Sequence, residues 1–436
     1  MCGPPSVNPE AAALPTRYNT LVANAIESPR TPPGQSSGEV QLLQASSVRR
    51  CLSGFFLSGM LVAFLGAILP AWGYHVSSRF LTVGSFFLSL NVGTLVSIKP
   101  ALVLLSRKGI RFLLILSSGL ACAGFLYLAA VPPAASPWWR MGGLFVLGLS
   151  LGLMTSAVFH AVSPLYTRDT AATLNLAGAF FGLGCLFTVV LVAGTFYVYT
   201  VASILVLLAV VPGFFAGIFA KSGFAAIPLP HQPSLREAFH DFKSPGALLF
   251  SVLLFIQFGN EWSVAGWLPL FLAQRLGASP AASLKVLSVY WLALLIGRVA
   301  MQAILPRVRH GRVLLLSGLS ALLGCVILYY TNNLFGAASG VLFVGAGFAA
   351  IYPVVAEMIG DRFPYYHPGF FNGIFSLAST GGWLAPATMG LYAHLWGIRV
   401  VIFLPMLGAC AVFLLAILLL VYARLTRRPR SGAAVT

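Results

Sequence analysis

Residues 247–273 read ALLFSVLLFIQFGNEWSVAGWLPLFLA, a run in which Glu261 is the only charged side chain. A helix needs about 20 predominantly apolar residues to cross the hydrocarbon core of a bilayer. This stretch meets that requirement in length and in polarity. It therefore predicts a transmembrane helix with a single acid near its middle.

Similar apolar runs recur along the chain. Of its 436 residues, 58% are hydrophobic and 8% are charged, and the mean hydropathy is +0.91. A soluble domain carries about 25% charged residues, so most of this surface faces something other than water. The sequence predicts an all-α membrane protein of twelve transmembrane helices, at 51–72, 79–103, 111–131, 137–160, 171–196, 198–220, 247–273, 282–305, 312–331, 335–358, 369–394 and 398–423.

The net charge of +17 would suggest a nucleic-acid partner in a soluble protein. Here the basic residues lie between apolar runs rather than in one stripe, so we expect a lipid bilayer and no nucleic acid. Most of the 26 Lys and Arg residues fall on the same side as the N-terminus. Since basic loops are retained in the cytoplasm, we expect a multi-pass protein of the inner cell membrane with both termini cytoplasmic. We also expect a monomer.

The spacing of the runs divides the chain into segments. The N-terminal stretch is rich in Pro, Ser, Ala and Gln and lacks the pattern of a signal peptide. The predicted organisation is a disordered cytoplasmic tail at 1–47, a six-helix bundle at 48–220, a cytoplasmic linker at 221–246, a second six-helix bundle at 247–424, and a basic tail at 425–436.

The second half of the sequence repeats features of the first at an offset near 199. Matching pairs are Leu69-Pro70 with Leu268-Pro269, Lys99 with Arg298, Gly148 with Gly345, and Gly184 with Gly381. Their constant order indicates an internal duplication. It predicts two parallel six-helix repeats related by an axis along the membrane normal, with a substrate site between them at mid-bilayer.

Glu261 is the main candidate for a functional residue. An ionisable side chain at the bilayer centre costs about 2.5–3.5 kcal/mol on insertion scales, so it normally faces the bundle interior or a cavity. Helical spacing places Gln257 and Asn260 on the same face, with Trp267 further along. Tyr290 and its repeat mate Asn91 complete the predicted substrate- or proton-binding set. The alternative is a buried carboxyl that only bonds a neighbouring helix.

A second group of ionisable residues is predicted near the cytoplasmic ends of the helices. Lys99 and Arg298 occupy equivalent places in the two repeats, as do His160 and Glu357. We expect an Arg298–Glu357 contact that closes the cytoplasmic side when the cavity opens outward. Static pairing and snorkelling of Lys99 are the alternatives.

Motifs for catalysis are absent from the sequence. It contains no nucleotide-binding G-x-x-x-x-G-K-[ST] motif, no metal-ligand spacing, and no C-x-x-C among its six cysteines. We therefore expect no enzyme activity, no cofactor and no bound metal. The expected coupling ion is H⁺, with Na⁺ as the alternative.

Several motifs resemble the major facilitator superfamily over about residues 48–425. They are LGAILP at 65–70, RKGIR at 107–111, Gly297-Arg298, and GAGFAAIYP at 345–353. The stretch GNEWSVAGWL at 259–268 is most similar to the fucose-permease-like branch. This resemblance implies ion-coupled transport of a small solute, often a sugar, by alternating access.

Two departures limit what the resemblance implies. Ser106 stands where the superfamily usually has Asp, and the predicted first and fourth helices lack the acids of the fucose permease. Its coupling mechanism therefore does not carry over. Three functions stay open: a symporter for a sugar or similar polar metabolite, an exporter of drugs or amphiphilic metabolites, and a non-transporting receptor.

Overall fold

A computed structural model describes residues 37–166, 170–224, 245–362 and 368–425. These residues form eleven α-helices and no strands. Ten of the helices are long and apolar enough to cross a membrane. The helices are α1 Ser37–Ile68, α2 Phe80–Ala130, α3 Pro137–Tyr166, α4 Thr170–Thr195, α5 Val201–Lys221, α6 Pro245–Leu276, α7 Pro280–Ile304, α8 His310–Tyr330, α9 Leu334–Arg362, α10 Pro368–Trp396 and α11 Val400–Leu425.

Most of the predicted tails and linker lies outside the described residues. The N-terminal tail was predicted to extend to residue 47, yet α1 already begins at Ser37. The helix α10 covers the predicted span 369–394 and packs between α2 and α6. Each of the twelve predicted spans overlaps a helix in the described part of the chain, and two of them lie almost wholly within α2.

The long helix α2 reverses direction at Gly109, whose φ of 78° and ψ of 177° are not helical. A positive φ of this kind is readily adopted only by glycine. Contacts with α3 show the reversal. Before Gly109, residue numbers in α2 and α3 increase together along the contact, so the two helices run parallel. After Gly109, the numbers in α2 increase while those in α3 decrease, so the helices run antiparallel. The facing pairs are Leu90 with Gly148, Ser97 with Gly152, Ser117 with Ser150, and Leu128 with Gly143.

Equivalent glycines bring neighbouring helices into close contact within each of the two repeats. A Cβ at Gly148 would lie 2.0 Å from the carbonyl oxygen of Leu90, and one at Gly345 would lie 2.7 Å from that of Tyr290. Likewise, a Cβ would lie 1.9 Å from the Phe56 oxygen at Gly184 and 2.1 Å from the Phe255 oxygen at Gly381. The glycines are repeat mates, as are Phe56 and Phe255, and Tyr290 directly follows the repeat mate of Leu90. The duplication in the sequence therefore corresponds to a duplicated packing arrangement.

The two halves, α1–α5 and α6–α11, meet along four seams between pairs of helices: α4 with α7, α2 with α10, α1 with α6, and α4 with α9. We call the side where α1 begins the near side, and the side where it ends the far side. On the far side the halves touch closely, since Phe87 stacks on Trp267 at 5.8 Å and a Cβ on Gly84 would lie 3.0 Å from the Cα of Gly390. This contact leaves the space between the halves on the near side.

Replacing the close-packed Gly184 tests this architecture. We expect Gly184→Ala to lower the melting temperature of the detergent-purified protein, because overpacking a tight contact costs about 1–3 kcal/mol. Gly119→Ala is the matched control, since a Cβ there meets nothing within 4 Å. The control should be neutral or slightly stabilising. Equal melting temperatures for the two variants would contradict the packing described.

Candidate functional site

A cavity of about 310 Å³ lies between the two halves. This volume is at the lower end of the range for small-molecule sites. Both halves contribute to its wall. The lining residues are Phe55, Ser58, Val62, Thr94, Ile98, Leu151, Gly152, Thr155, Ser156, Phe159, Ala177, Gly178 and Phe181 from the first half, with Phe258, Glu261, Trp262, Arg298, Tyr352, Pro353, Ser379 and Trp383 from the second.

Glu261 lies near the middle of α6 with 2% of its side chain exposed. Its Oε1 accepts a hydrogen bond from Nη2 of Arg298 on α7 at 3.0 Å. Its repeat mate Val62 lines the same cavity from the first half. Only the second repeat therefore carries an acid at this position, although the equivalent positions of both repeats line the cavity.

Arg298 joins Glu261 to the other half of the molecule. Its Nη1 donates to the carbonyl oxygen of Gly178 on α4 at 3.1 Å. A Cβ at Gly178 would lie 3.1 Å from Cδ of Arg298, so glycine provides the space for this approach. One guanidinium thus bridges the α4–α7 seam and neutralises the buried acid.

The carboxylate of Glu261 is only half satisfied. Its Oε2 is buried and has no hydrogen-bond partner among the described residues. A buried acceptor without a donor costs about 1–3 kcal/mol, and a proton or a donor group on a solute would remove that cost. This oxygen can therefore hold a proton or accept a hydrogen bond from a bound molecule.

The predicted polar face of α6 is rotated relative to the cavity. Glu261 lines the cavity together with Phe258 and Trp262, whereas Gln257 and Asn260 are buried outside the lining. Asn260 faces α11, where a Cβ on Gly408 would lie 2.1 Å from its Oδ1. The helix α11 therefore packs against the face of α6 that was predicted from the sequence to bind the substrate.

Three other predicted residues lie outside the cavity lining and donate hydrogen bonds to backbone carbonyls of the second half. Trp267 is fully buried and donates from Nε1 to the Pro386 carbonyl at 2.9 Å. Asn91 donates from Nδ2 to the carbonyl of Trp383 at 2.6 Å. The Tyr290 hydroxyl donates to the backbone oxygen of Glu261 at 3.2 Å. All three therefore position residues around the cavity instead of lining it.

The Arg298–Glu357 contact was expected for a cavity that opens outward, and it stays a prediction because the space between the halves here lies on the near side. Arg298 pairs with Glu261, because that buried carboxylate lies on the adjacent helix facing the same cavity. Glu357 instead places Oε2 2.6 Å from Nε2 of His310 at the start of α8.

The remaining two predicted gate residues also lie apart from the cavity lining. Lys99 is exposed, and His160 is buried on α3. Three further lining residues, Gly178, Thr155 and Ser156, were not predicted from the sequence, where their small size in neighbouring helices was the only signal.

The architecture and the central cavity define a membrane transporter built from two similar halves. The family described as the Major Facilitator Superfamily matches residues 51–385 and 250–435. The chain therefore belongs to this superfamily, whose members move small molecules across membranes and are not enzymes. It is a multi-pass membrane protein.

Curated relatives and solved structures agree with this assignment. An uncharacterised MFS-type transporter of Yersinia pestis is 22% identical over 79% of this chain and 88% of its own length. A TsgA homologue of Buchnera aphidicola is 23% identical over 86% of this chain and 96% of its own length.

Two solved structures share the fold. A mutant of the nucleoside transporter NupG superposes with a TM-score of 0.65 at 13% identity, over 85% of this chain and 99% of its own. A mutant of the Escherichia coli fucose:proton symporter FucP gives 0.59 at 16% identity, over 86% and 99%.

The buried ion pair predicts a non-additive effect on stability. Arg298→Met leaves Glu261 without its counter-charge, which costs about 3–5 kcal/mol for a buried pair, so the melting temperature should fall strongly. Adding Glu261→Gln to Arg298→Met should restore part of the loss. Lys285→Met, at an exposed position on the same helix, is the control. Additive losses from the two substitutions would show that the pair is not coupled.

Proposed function

We propose that this protein is a proton-coupled transporter of a sugar or similar polar metabolite, with Glu261 as its proton-binding group. The observation that carries the proposal is the Glu261–Arg298 pair in a cavity shared by the two halves. A buried charge cluster in a membrane protein is costly and is typically retained for function. The fold likeness to proteins described as a fucose:proton symporter and a nucleoside transporter is consistent with it.

The proposed coupling uses the contacts of Arg298. With Glu261 ionised, the guanidinium is held between the carboxylate and the Gly178 carbonyl, which ties α7 to α4. A proton on Glu261 removes the negative charge that holds Arg298. The contact with Gly178 then weakens, and the two halves are free to rock about the cavity. Binding of a proton at one residue thereby changes the contact between the halves.

The cavity also supports a small polar substrate. Its volume accommodates a molecule of about monosaccharide size, and the aromatic rings of Trp262 and Trp383 provide flat apolar surfaces beside hydroxyl groups. We further propose a monomer in the inner membrane with both chain ends in the cytoplasm. The distribution of Lys and Arg supports this orientation.

One observation favours the exporter of amphiphiles as a second candidate. An apolar groove of about 520 Å³ follows the outer face of the α4–α7 seam, lined by residues such as Phe180, Leu183 and Ile296. It could admit an apolar tail from the bilayer. However, Gly178 and Gly182 pack on Arg298 and Leu295 between this groove and the cavity. The polar-solute transporter therefore remains the first proposal.

Neutralising Glu261 tests the coupling in proteoliposomes. The wild type should accumulate the best-binding labelled sugar when a pH gradient is imposed, by up to about tenfold for a one-unit gradient and one proton per solute. Glu261→Gln should lose this accumulation while still equilibrating the sugar. Lys285→Gln is the control and should accumulate normally. Gradient-driven accumulation by Glu261→Gln would refute the proton-binding role.

A further inference from the structure

The hydroxyl groups on the first-half wall of the cavity all donate to backbone carbonyls of their own helices, and Thr94 also lies 3.2 Å from the Gly148 carbonyl on α3. Ser58 donates to the Gly54 carbonyl at 2.9 Å, and Thr94 to that of Leu90 at 3.0 Å. On α3, Thr155 donates to Leu151 at 2.9 Å and Ser156 to Gly152 at 2.8 Å. Since a carbonyl oxygen has no hydrogen, the hydroxyl must be the donor in each bond.

This arrangement fixes the hydrogen-bonding character of the wall. A hydroxyl has one hydrogen and two acceptor lone pairs, so a hydroxyl that donates to the backbone keeps only acceptor capacity for a bound molecule. The four groups come from three helices and face one space. In this arrangement the first-half wall therefore offers hydrogen-bond acceptors to a solute.

The charges of the lining compensate each other. Glu261 and Arg298 are the acid and the base of the cavity wall, and they bind one another at 3.0 Å. A second donor of Arg298 is used by Gly178. The second-half wall otherwise offers neutral groups: Trp262, Tyr352, Ser379 and Trp383. An anionic solute would thus meet acceptors on one wall and no uncompensated positive charge on the other.

We propose that the cavity binds a neutral polyhydroxylated solute and rejects solutes that carry a carboxylate or a phosphate. The solute's hydroxyls donate to Ser58, Thr94, Thr155 and Ser156, and its apolar face packs on the tryptophans of the second half. Excess anionic charge is excluded because its burial without a partner costs more than the hydrogen bonds return. This inference rests on the proposed polar-solute transport and narrows the class of substrate.

Equilibrium binding to the purified protein tests the inference without a proton gradient. The probes are common hexoses, pentoses, hexitols and ribonucleosides, together with the uronic acid and the 6-phosphate of each hexose, measured by thermal shift and then calorimetry. We expect the best neutral probe to bind at least about tenfold more tightly than its anionic derivatives. Tighter or equal binding of an anionic derivative, or binding of no neutral probe, would overturn the inference.

Two substitutions test the role of the acceptor wall. Thr155→Val and Ser156→Ala should each weaken binding of the best neutral probe about fivefold, the equivalent of one ordinary hydrogen bond. Ser288→Ala is the matched control, because Ser288 also donates to its own helix, at 3.0 Å to Leu284, but lies outside the lining. Unchanged affinity in both cavity variants would refute the acceptor wall.

These outcomes are independent of the coupling mechanism. A loss of gradient-driven uptake concerns Glu261, whereas the preference between neutral and anionic probes is measured at equilibrium.

Discussion

A carboxylate buried between two halves of a membrane protein needs a counter-charge, and Arg298 provides it for Glu261 at 3.0 Å. Removing one member of a buried pair costs far more than the pair contributes, so the two residues constrain each other. The same guanidinium reaches the Gly178 carbonyl of the other half. The geometry of the cavity, the contact between the halves and the charge on Glu261 are therefore linked through one side chain.

Glycine packing brings the helices close enough for this link. At Gly148, Gly184, Gly345 and Gly381, a side chain would collide with the backbone of the neighbouring helix. Membrane helices associate through such close contacts, since lipid supplies little hydrophobic driving force between them. The duplicated glycines build two similar halves, and the unduplicated Glu261 makes the cavity between them asymmetric. The repeated packing therefore forms the helix framework, and the unrepeated acid provides the ionisable group of the cavity.

The sequence predicted the helices and the repeat well, because the length of an apolar span and the spacing of glycines depend only on the order of residues along the chain. It also identified Glu261 as a residue of the inter-half space. It misplaced the partners of Glu261: α6 is buried on most of its surface, so the apolar pattern does not show which side faces the cavity. Gln257 and Asn260 could not be separated from Phe258 and Trp262 on that basis. The Arg298–Glu261 pair depends on how α7 lies beside α6, which spacing along one chain does not determine.

In the proposed mechanism, the charge on Glu261 controls the approach of the two halves. Distances between spin labels at exposed, repeat-related positions test it directly: Arg107 with Arg307 on the near side, and Trp138 with Phe335 on the far side. The Glu261→Gln protein is compared with the labelled protein that retains Glu261, at the same pH. In the variant, the near-side distances should include a shorter population and the far-side distances a longer one. Identical distance distributions in the two proteins would contradict the account.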